Sequence, residues 1–285
     1  MDDTGTYREL KFPAFRNPTV DTLDIGRRKH HVPVLFEVDV TEGRNILRNF
    51  KAATGQGVSF TAWVMKCIGQ AVSEHKHIHA LRRGRGRLIL FDDVDISVVV
   101  EKPVGDNQGQ PQTLPMPTVV RRTNEKDVQA IHSEIRAAQA APRIKGEVHI
   151  GSHRYASLAK LFAALPRILR NLLFWRRLMN NPFLTKRMMG TVVVTSIGNI
   201  GKGSGSSWAI PIGIHPLMVA IGTIAKKPGV VENAIDIREY LSLTVLFDHD
   251  VTDGAPVARF ILRLKELLET GHGLVELSSA VNLNR

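Results

Sequence analysis

The stretch LTVLFDHDVTDGAPVARFILRLKELLE, residues 243–269, reads as a strand, a tight turn and a helix in direct succession. Leu241–Phe247 is an apolar, β-branched run of strand length. A helical pattern begins near Ala255, and Val257–Leu268 repeats apolar residues at amphipathic spacing. Between them, Asp248-His249-Asp250-Val251-Thr252-Asp253-Gly254 places a histidine in the turn that leaves the strand. Histidine is the side chain best suited to move a proton near neutral pH. Asp253 can fix the loop, and Gly254 permits a backbone conformation that other residues resist. A plain surface turn of the same composition is the competing reading, so the surroundings decide.

Upstream, VPVLFEVDV at 32–40 alternates and is β-branched, which predicts a strand. Thr41 caps a helix to about Ala53, Gly55-Gln56-Gly57 breaks it, and Ser59 or Thr61 opens a largely apolar helix to about His75. Strands are expected at Leu88–Phe91, Val94–Val100, Thr118–Arg121, Thr191–Ser196 and Met218–Thr223, with a polar loop at 105–117 and a helix over Asn124–Ala140. Residues 1–26 show little periodicity and are expected to form an arm or extended segment. Strands interleaved with helices predict an α/β two-layer sandwich on a mixed sheet.

The 285 residues can bury a large core, and 43% hydrophobic with 23% charged content is ordinary for a globular protein. The acidic start, Met1-Asp2-Asp3-Thr4-Gly5, lacks the apolar core of a signal peptide, and a lone Cys67 excludes an internal disulfide framework. Both point to the cytoplasm. Cys67 lies in the apolar run 60–72 and reads as a buried small hydrophobe. The net charge of +11 is concentrated: no Asp or Glu lies between Glu147 and Glu232, where eleven Lys and Arg fall. Such a block suggests an anionic partner, either a phosphorylated cofactor, a membrane surface or nucleic acid, against a solvated basic face. Within it, Leu158–Met189 is helical, apolar and basic at once, and is divided by Pro166 and Pro182. Its apolar pieces are too short and too charged to span a bilayer, so it is expected either to lie on a membrane surface or to act as a lid.

Taken together, these blocks resemble the catalytic core of the dihydrolipoyl acyltransferases of 2-oxo-acid dehydrogenase complexes, which share a fold with chloramphenicol acetyltransferase. The resemblance runs from about Arg27 to Gly271. It rests on VPVLFEVDVTEGRNIL (32–47), SFTAWVMKCIGQAVSEHKHIHA (59–80), FDDVDISVVVEKP (91–103), GTVVVTSIGNIG (190–201), AIGTIAKKPGVV (220–231) and residues 243–269, which carry the family's His-x-x-x-Asp-Gly signature. It implies one catalytic domain over 27–285, with the apolar basic stretch at about 155–189 as an insertion.

The resemblance implies acyl transfer between coenzyme A and a dihydrolipoyl thiol. His249 would be the general base on the attacking thiol, which is mostly protonated at neutral pH. A hydroxyl would hold the tetrahedral oxyanion, with Ser196 the first candidate and Thr195 the second. The family's small-hydroxyl-Asn-Leu-Gly pattern is read here against Ser196-Ile197-Gly198-Asn199-Ile200-Gly201, about one residue out of register. Asp253 would salt-bridge Arg27 or Arg28 to hold the histidine loop, and Lys202, Lys226 and Lys227 would hold the phosphates of coenzyme A. Asp250 stands where the family usually has an arginine, and a carboxylate beside the base favours protonated imidazole unless a cation offsets it. The family also implies a homotrimer, or a larger assembly of trimers, with the active site between subunits. The residues before Arg27 are too few for a lipoyl domain, so a lipoyl domain in trans, free lipoamide or a different acceptor is expected to serve.

Three further motifs carry less. His75-Lys76-His77-Ile78-His79 lacks a carboxylate or cysteine spaced to complete a metal site, and no metal is expected. Arg82-Arg83-Gly84-Arg85-Gly86-Arg87 reads as a hairpin tip rather than a nucleic-acid tail. Gly201-Lys202-Gly203 lacks the spacing of a phosphate loop. Two other functions stand beside the enzyme: a trimeric structural or assembly protein without turnover, and a membrane-associated binding protein using the insertion.

Overall fold

The computed structural model describes residues 5–104, 112–141, 161–197, 205–275 and 277. In chain order these form α1 (Asn17–Gly26), β1 (His31–Asp39), α2 (Thr41–Thr54), α3 (Phe60–Glu74), β2 (Leu81–Arg83), β3 (Arg87–Ile89), β4 (Ile96–Val104), β5 (Gln112–Val120) and α4 (Val128–Ala140). There follows α5, made of Arg167–Arg170, a π turn at Asn171–Trp175, and Arg176–Met179. The chain ends with α6 (Pro182–Met189), β6 (Val192–Ser196), β7 (Leu217–Val231), β8 (Ala234–Asp248) and α7 (Gly254–Glu269).

Six strands make one mixed sheet in the order β1-β8-β7-β6-β4-β5. β6 runs parallel to both β4 and β7, and the other pairs are antiparallel. One face is apolar because alternate residues line it: Val192 and Val194 of β6, Leu217, Val219 and Ile221 of β7, and Leu241, Leu243, Val245 and Phe247 of β8. Helices α3, α4 and α7 cover that face. In α7 the buried residues Val257, Phe260, Leu264, Leu267 and Leu268 recur at helical spacing and seat the helix on the sheet. Fully burying each such side chain contributes about 1.5–3 kcal/mol. Cys67 is buried here in α3, and burial pushes its thiol up, so it packs as a hydrophobe.

Beyond β5 starting at Gln112, inside the polar loop expected over 105–117, and β7 and β8 running well past the strands expected there, the structure departs from the sequence expectations in two places. Residues 17–26 are a helix rather than an extended arm. Its Asp21 is buried in a bidentate ion pair with Arg170 of α5, at 2.6 and 2.8 Å, and also accepts from the indole of Trp175 at 3.0 Å. The π turn is what puts Arg170 and Trp175, five apart, on one side of the helix. Burial alone would raise the Asp21 carboxyl, but hydrogen bonds from Arg170 and Trp175, with the Arg170 charge, hold it below the usual carboxylate range. Asp24 pairs with Arg167 at 2.8 Å, so α1 and the basic insertion are clamped together. Trp175, Leu178 and Ile214 form a second core with Ile25, Phe162 and Leu184 around them. The other departure is at residues 87–89, where the strand expected over Leu88–Phe91 belongs instead to a separate two-stranded hairpin with β2.

Candidate active site

His249 leaves the end of β8, and the β1–β8 register explains its setting. His31 lies opposite Asp248, so the residues just before β1 run alongside the histidine turn. The backbone N–H of His249 donates to the carbonyl of His30 at 2.9 Å. Its half-exposed ring tilts over Phe247 with centroids 5.7 Å apart. Lys29 pairs with the buried Asp248 at 2.5 Å. His31 donates to the carbonyl of His215, and buried His215 donates to that of Met189, which ties the turn to the end of α6. Burial pushes His215 down to about 4, so it is neutral at physiological pH.

Asp250, read from sequence as a charge working against the base, has its own partners. His30 Nδ1 meets its carboxylate at 2.9 Å and Arg82 stands 3.9 Å away. The hydrogen bond to His30 holds the Asp250 carboxyl below the usual range, with the Arg82 and Lys29 charges adding to it. Neither His30 nor Arg82 is legible as a partner in the sequence, because the β1–β8 pairing that delivers His30 joins residues over 200 apart.

Asp253 occupies the N-cap position of α7, where a carboxylate is favoured by the helix dipole. It lies 4.0 Å from Nδ1 of His249, beyond hydrogen-bond distance. Among the described residues, the structure pairs neither Arg27 nor Arg28 with it, and both arginines are exposed. Gly254 begins α7 without a positive φ, and a Cβ there would meet nothing within 4 Å, so the position does not use glycine's conformational freedom.

Thr195 and Ser196 end β6, which is set by the turn at Gly190. That glycine has φ +73°, and a Cβ on it would come within 2.5 Å of the Asp95 carbonyl. The two hydroxyl residues alternate faces. Thr195 shares the face away from the helices with Ala220 and Thr244, which lie in one row across the strands. The hydroxyls of Thr244 and its neighbour Ser242 are buried and make no hydrogen bond among the described residues. Ser196 pairs with Ile221 and so with Leu243, six residues before His249. At about 3.4 Å per residue, Ser196 and His249 of one chain lie about 20 Å apart along the strands. The structure therefore does not bring the candidate base and either hydroxyl together within one chain.

Lys226 is exposed on β7, at the Ser196 end of the sheet, whereas Lys227 is paired with Glu37 at 2.6 Å. Lys202 lies outside the described residues. The basic block is less one-sided in three dimensions than in sequence, since Arg167, Arg170, Lys186 and Lys227 take carboxylates from elsewhere in the chain. Among the described residues there is no cluster of three or more His, Cys, Asp or Glu able to hold a metal ion, and no helix long and apolar enough to cross a membrane.

This is the architecture of an α/β acyltransferase core. The family model of the 2-oxoacid dehydrogenases acyltransferase (catalytic domain) matches residues 5–146 and 184–275, and the chain belongs to that family. The unmatched interval covers most of the apolar basic insertion, and the match begins well before Arg27. The chain is 25% identical over 256 residues to the lipoamide acyltransferase component of the branched-chain alpha-keto acid dehydrogenase complex of Bacillus subtilis, covering 87% of this chain and 49% of that protein. It is 26% identical over 265 residues to the dihydrolipoyllysine-residue acetyltransferase component of the pyruvate dehydrogenase complex of Corynebacterium glutamicum, covering 89% and 32%. It spans about half or less of these curated relatives. The dihydrolipoamide acetyltransferase structure of Azotobacter vinelandii shares the fold, with TM-score 0.67, 20% identity and 96% coverage of each chain. The truncated catalytic core of the 2-oxoacid dehydrogenase multienzyme complex of Thermoplasma acidophilum does so at TM-score 0.62 and 21% identity, covering 93% and 100%.

Proposed function

We propose that this chain moves an acyl group between coenzyme A and a dihydrolipoyl-type thiol, with His249 as general base, in a site shared by neighbouring subunits of a trimer. The observation that carries the reading is the His249 turn. It is a half-exposed imidazole at a strand end, backed by Phe247, with the adjacent Asp250 charge taken up by His30 and Arg82. The Azotobacter vinelandii relative supports it, since a serine, a histidine and an asparagine were examined there for roles in the catalytic mechanism.

The chemistry follows from the thioester. His249 takes the proton of the attacking thiol, and the thiolate adds to the thioester carbonyl. The resulting oxyanion accepts a hydrogen bond from Thr195 or Ser196 of a neighbouring chain. Collapse breaks the bond to the leaving sulfur, which receives the proton back from the imidazolium. Thr195 is favoured on its face, beside the small Ala220 and the orphaned Thr244 hydroxyl, and Ser196 on its exposure at the strand end. The roughly 17–20 Å between these residues and His249 within one chain is the reason for a shared site. Lys226, with Lys202, would meet the phosphates of coenzyme A. The lipoyl group would arrive in trans, and the buried, unpaired Cys67 fits a cytoplasmic setting. A panel of acyl-CoAs with dihydrolipoamide, read by mass spectrometry alongside His249→Ala, tests the proposal. Transfer lost in the variant supports it, and no transfer from folded trimers leaves the assembly-protein reading.

One observation favours a second reading, contact with a membrane surface. Ile168, Leu169, Leu172 and Leu173 of α5 are exposed, at 79%, 41%, 57% and 61%, beside Arg176 and Arg177. An amphipathic helix with a basic rim binds anionic interfaces. Flotation with phosphatidylglycerol vesicles that is abolished by Leu172→Glu would support this role, and protein left at the bottom of the gradient would remove it.

A further inference from the structure

The arginine motif of the sequence acquires a position in the structure that the proposed chemistry does not use. β2 and β3 form a short hairpin in which Arg83 lies directly opposite Arg87, with Arg85 at the tip between two glycines. Arg82 faces the other way and reaches Asp250, one residue from His249. Arg83 stacks over the Phe183 ring of α6 at 5.8 Å. The hairpin therefore stands between the histidine turn and the end of the insertion.

Three arginines, Arg83, Arg85 and Arg87, are crowded into five exposed residues of this ribbon. Many cations elsewhere are matched: Arg238 with Asp39, Arg263 with Glu74 and Glu266, Arg121 and Lys186 with Asp95, and Arg44 and Arg48 with Glu239. Among the described residues, Arg83, Arg85 and Arg87 have no carboxylate partner. Like charges directly opposite on a two-stranded ribbon are unfavourable for the hairpin itself, so folding alone does not account for them. Arg83 and Arg87 share one face of the ribbon, and Arg85 stands at its exposed tip. Pockets for small anions are concave. An exposed, unpaired basic hairpin tip instead complements an acidic macromolecular surface and speeds its encounter.

We propose that residues 82–87 are the docking point for an acidic carrier domain that presents its thiol or thioester to His249. The inference rests on the acyl-transfer reading of that site. It identifies the carrier by its chemistry: a folded domain with a negative face around its thiol-bearing arm.

The test uses the full chain and, as probe, a purified lipoylated domain with an acidic surface. Binding is read by fluorescence anisotropy and needs no turnover, so it stands even if acyl transfer is never found. The triple variant Arg83→Glu, Arg85→Glu, Arg87→Glu should weaken binding at least about tenfold, and the corresponding Lys variants should retain it. With turnover, the Glu variant should raise KM for the lipoylated domain by a similar factor. KM for free dihydrolipoamide and for acyl-CoA should stay within about twofold, and wild-type binding should fall steeply with salt. Unchanged binding overturns the proposal. So does an equal loss with free dihydrolipoamide, a selective rise in KM for acyl-CoA, which would make the hairpin a phosphate site, or tighter binding to duplex DNA than to the domain. Loss of transfer to free dihydrolipoamide in the wild type would count against the proposed activity alone.

Discussion

Ser196 of one chain lies level with Leu243 in the strand register that links β6, β7 and β8, six residues before His249 of the same chain. If both hydroxyl candidates act on a neighbour's histidine, two dead variants should complement each other. His249→Ala and the double variant Thr195→Val, Ser196→Ala should each lose transfer by about a hundredfold or more. After unfolding and refolding together, mixed trimers should regain part of the activity, because some sites then combine an intact base with an intact hydroxyl. Mixtures as inactive as either parent would place the whole site within one chain.

The single hydroxyl variants decide the donor. Removing one oxyanion donor costs about 10²–10³ in kcat. Thr195→Val is expected to show that loss if the face shared with Ala220 and Thr244 lines the channel, with Ser196→Ala near wild type. The reverse result would assign the donor to Ser196. Steady-state kcat with KM held in view makes the distinction.

His30 should matter through Asp250. Removing it as His30→Ala leaves the Asp250 carboxylate with Arg82 alone, so the negative charge beside His249 is less offset. The acid limb of the kcat/KM profile should then move to higher pH, and Asp250→Asn in the same background should move it back. A profile that does not respond to either change would show that the pair is structural.

The Arg170–Asp21 pair should be costly to break. Both side chains are nearly fully buried, and removing one partner leaves an uncompensated charge. Arg170→Ala should destabilise the fold by about 3–5 kcal/mol in urea denaturation, whereas Asp24→Asn, at a more exposed pair, should cost about 1 kcal/mol or less. The Asp21 carboxyl is held below its unfolded value, so its contribution is present above that value and is lost as pH falls through the native one.

Two buried histidines add an acid sensitivity in a different window. Burial brings His79 and His215 to about 4 from an ordinary 6.5. The unfolded chain therefore binds protons first as pH falls. Stability is full above about 6.5 and declines down to about 4, by at most about 3 kcal/mol for each histidine. His79→Gln should flatten that part of the stability–pH curve; an unchanged curve would show that His79 titrates alike in both states.

Much of the catalytic layer was legible in the amino-acid sequence. The helices at 41–54 and 60–74, the strand cores of β1, β6, β7 and β8, and the strand–turn–helix around His249 follow from apolar periodicity and caps, which act between near neighbours. The helix at 17–26 was not legible, because NPTVDTLDIG lacks a strong apolar repeat and its buried Asp21 needs an arginine 149 residues away. In the same way the sequence marked His249, Thr195, Ser196 and the arginine run as residues of interest. Only the tertiary structure put Asp250 against His30, turned Thr195 and Ser196 to opposite faces, separated both from His249, and set the arginine hairpin beside the histidine turn. Those relations depend on strand register and ion pairing between distant segments, and no local spacing encodes them.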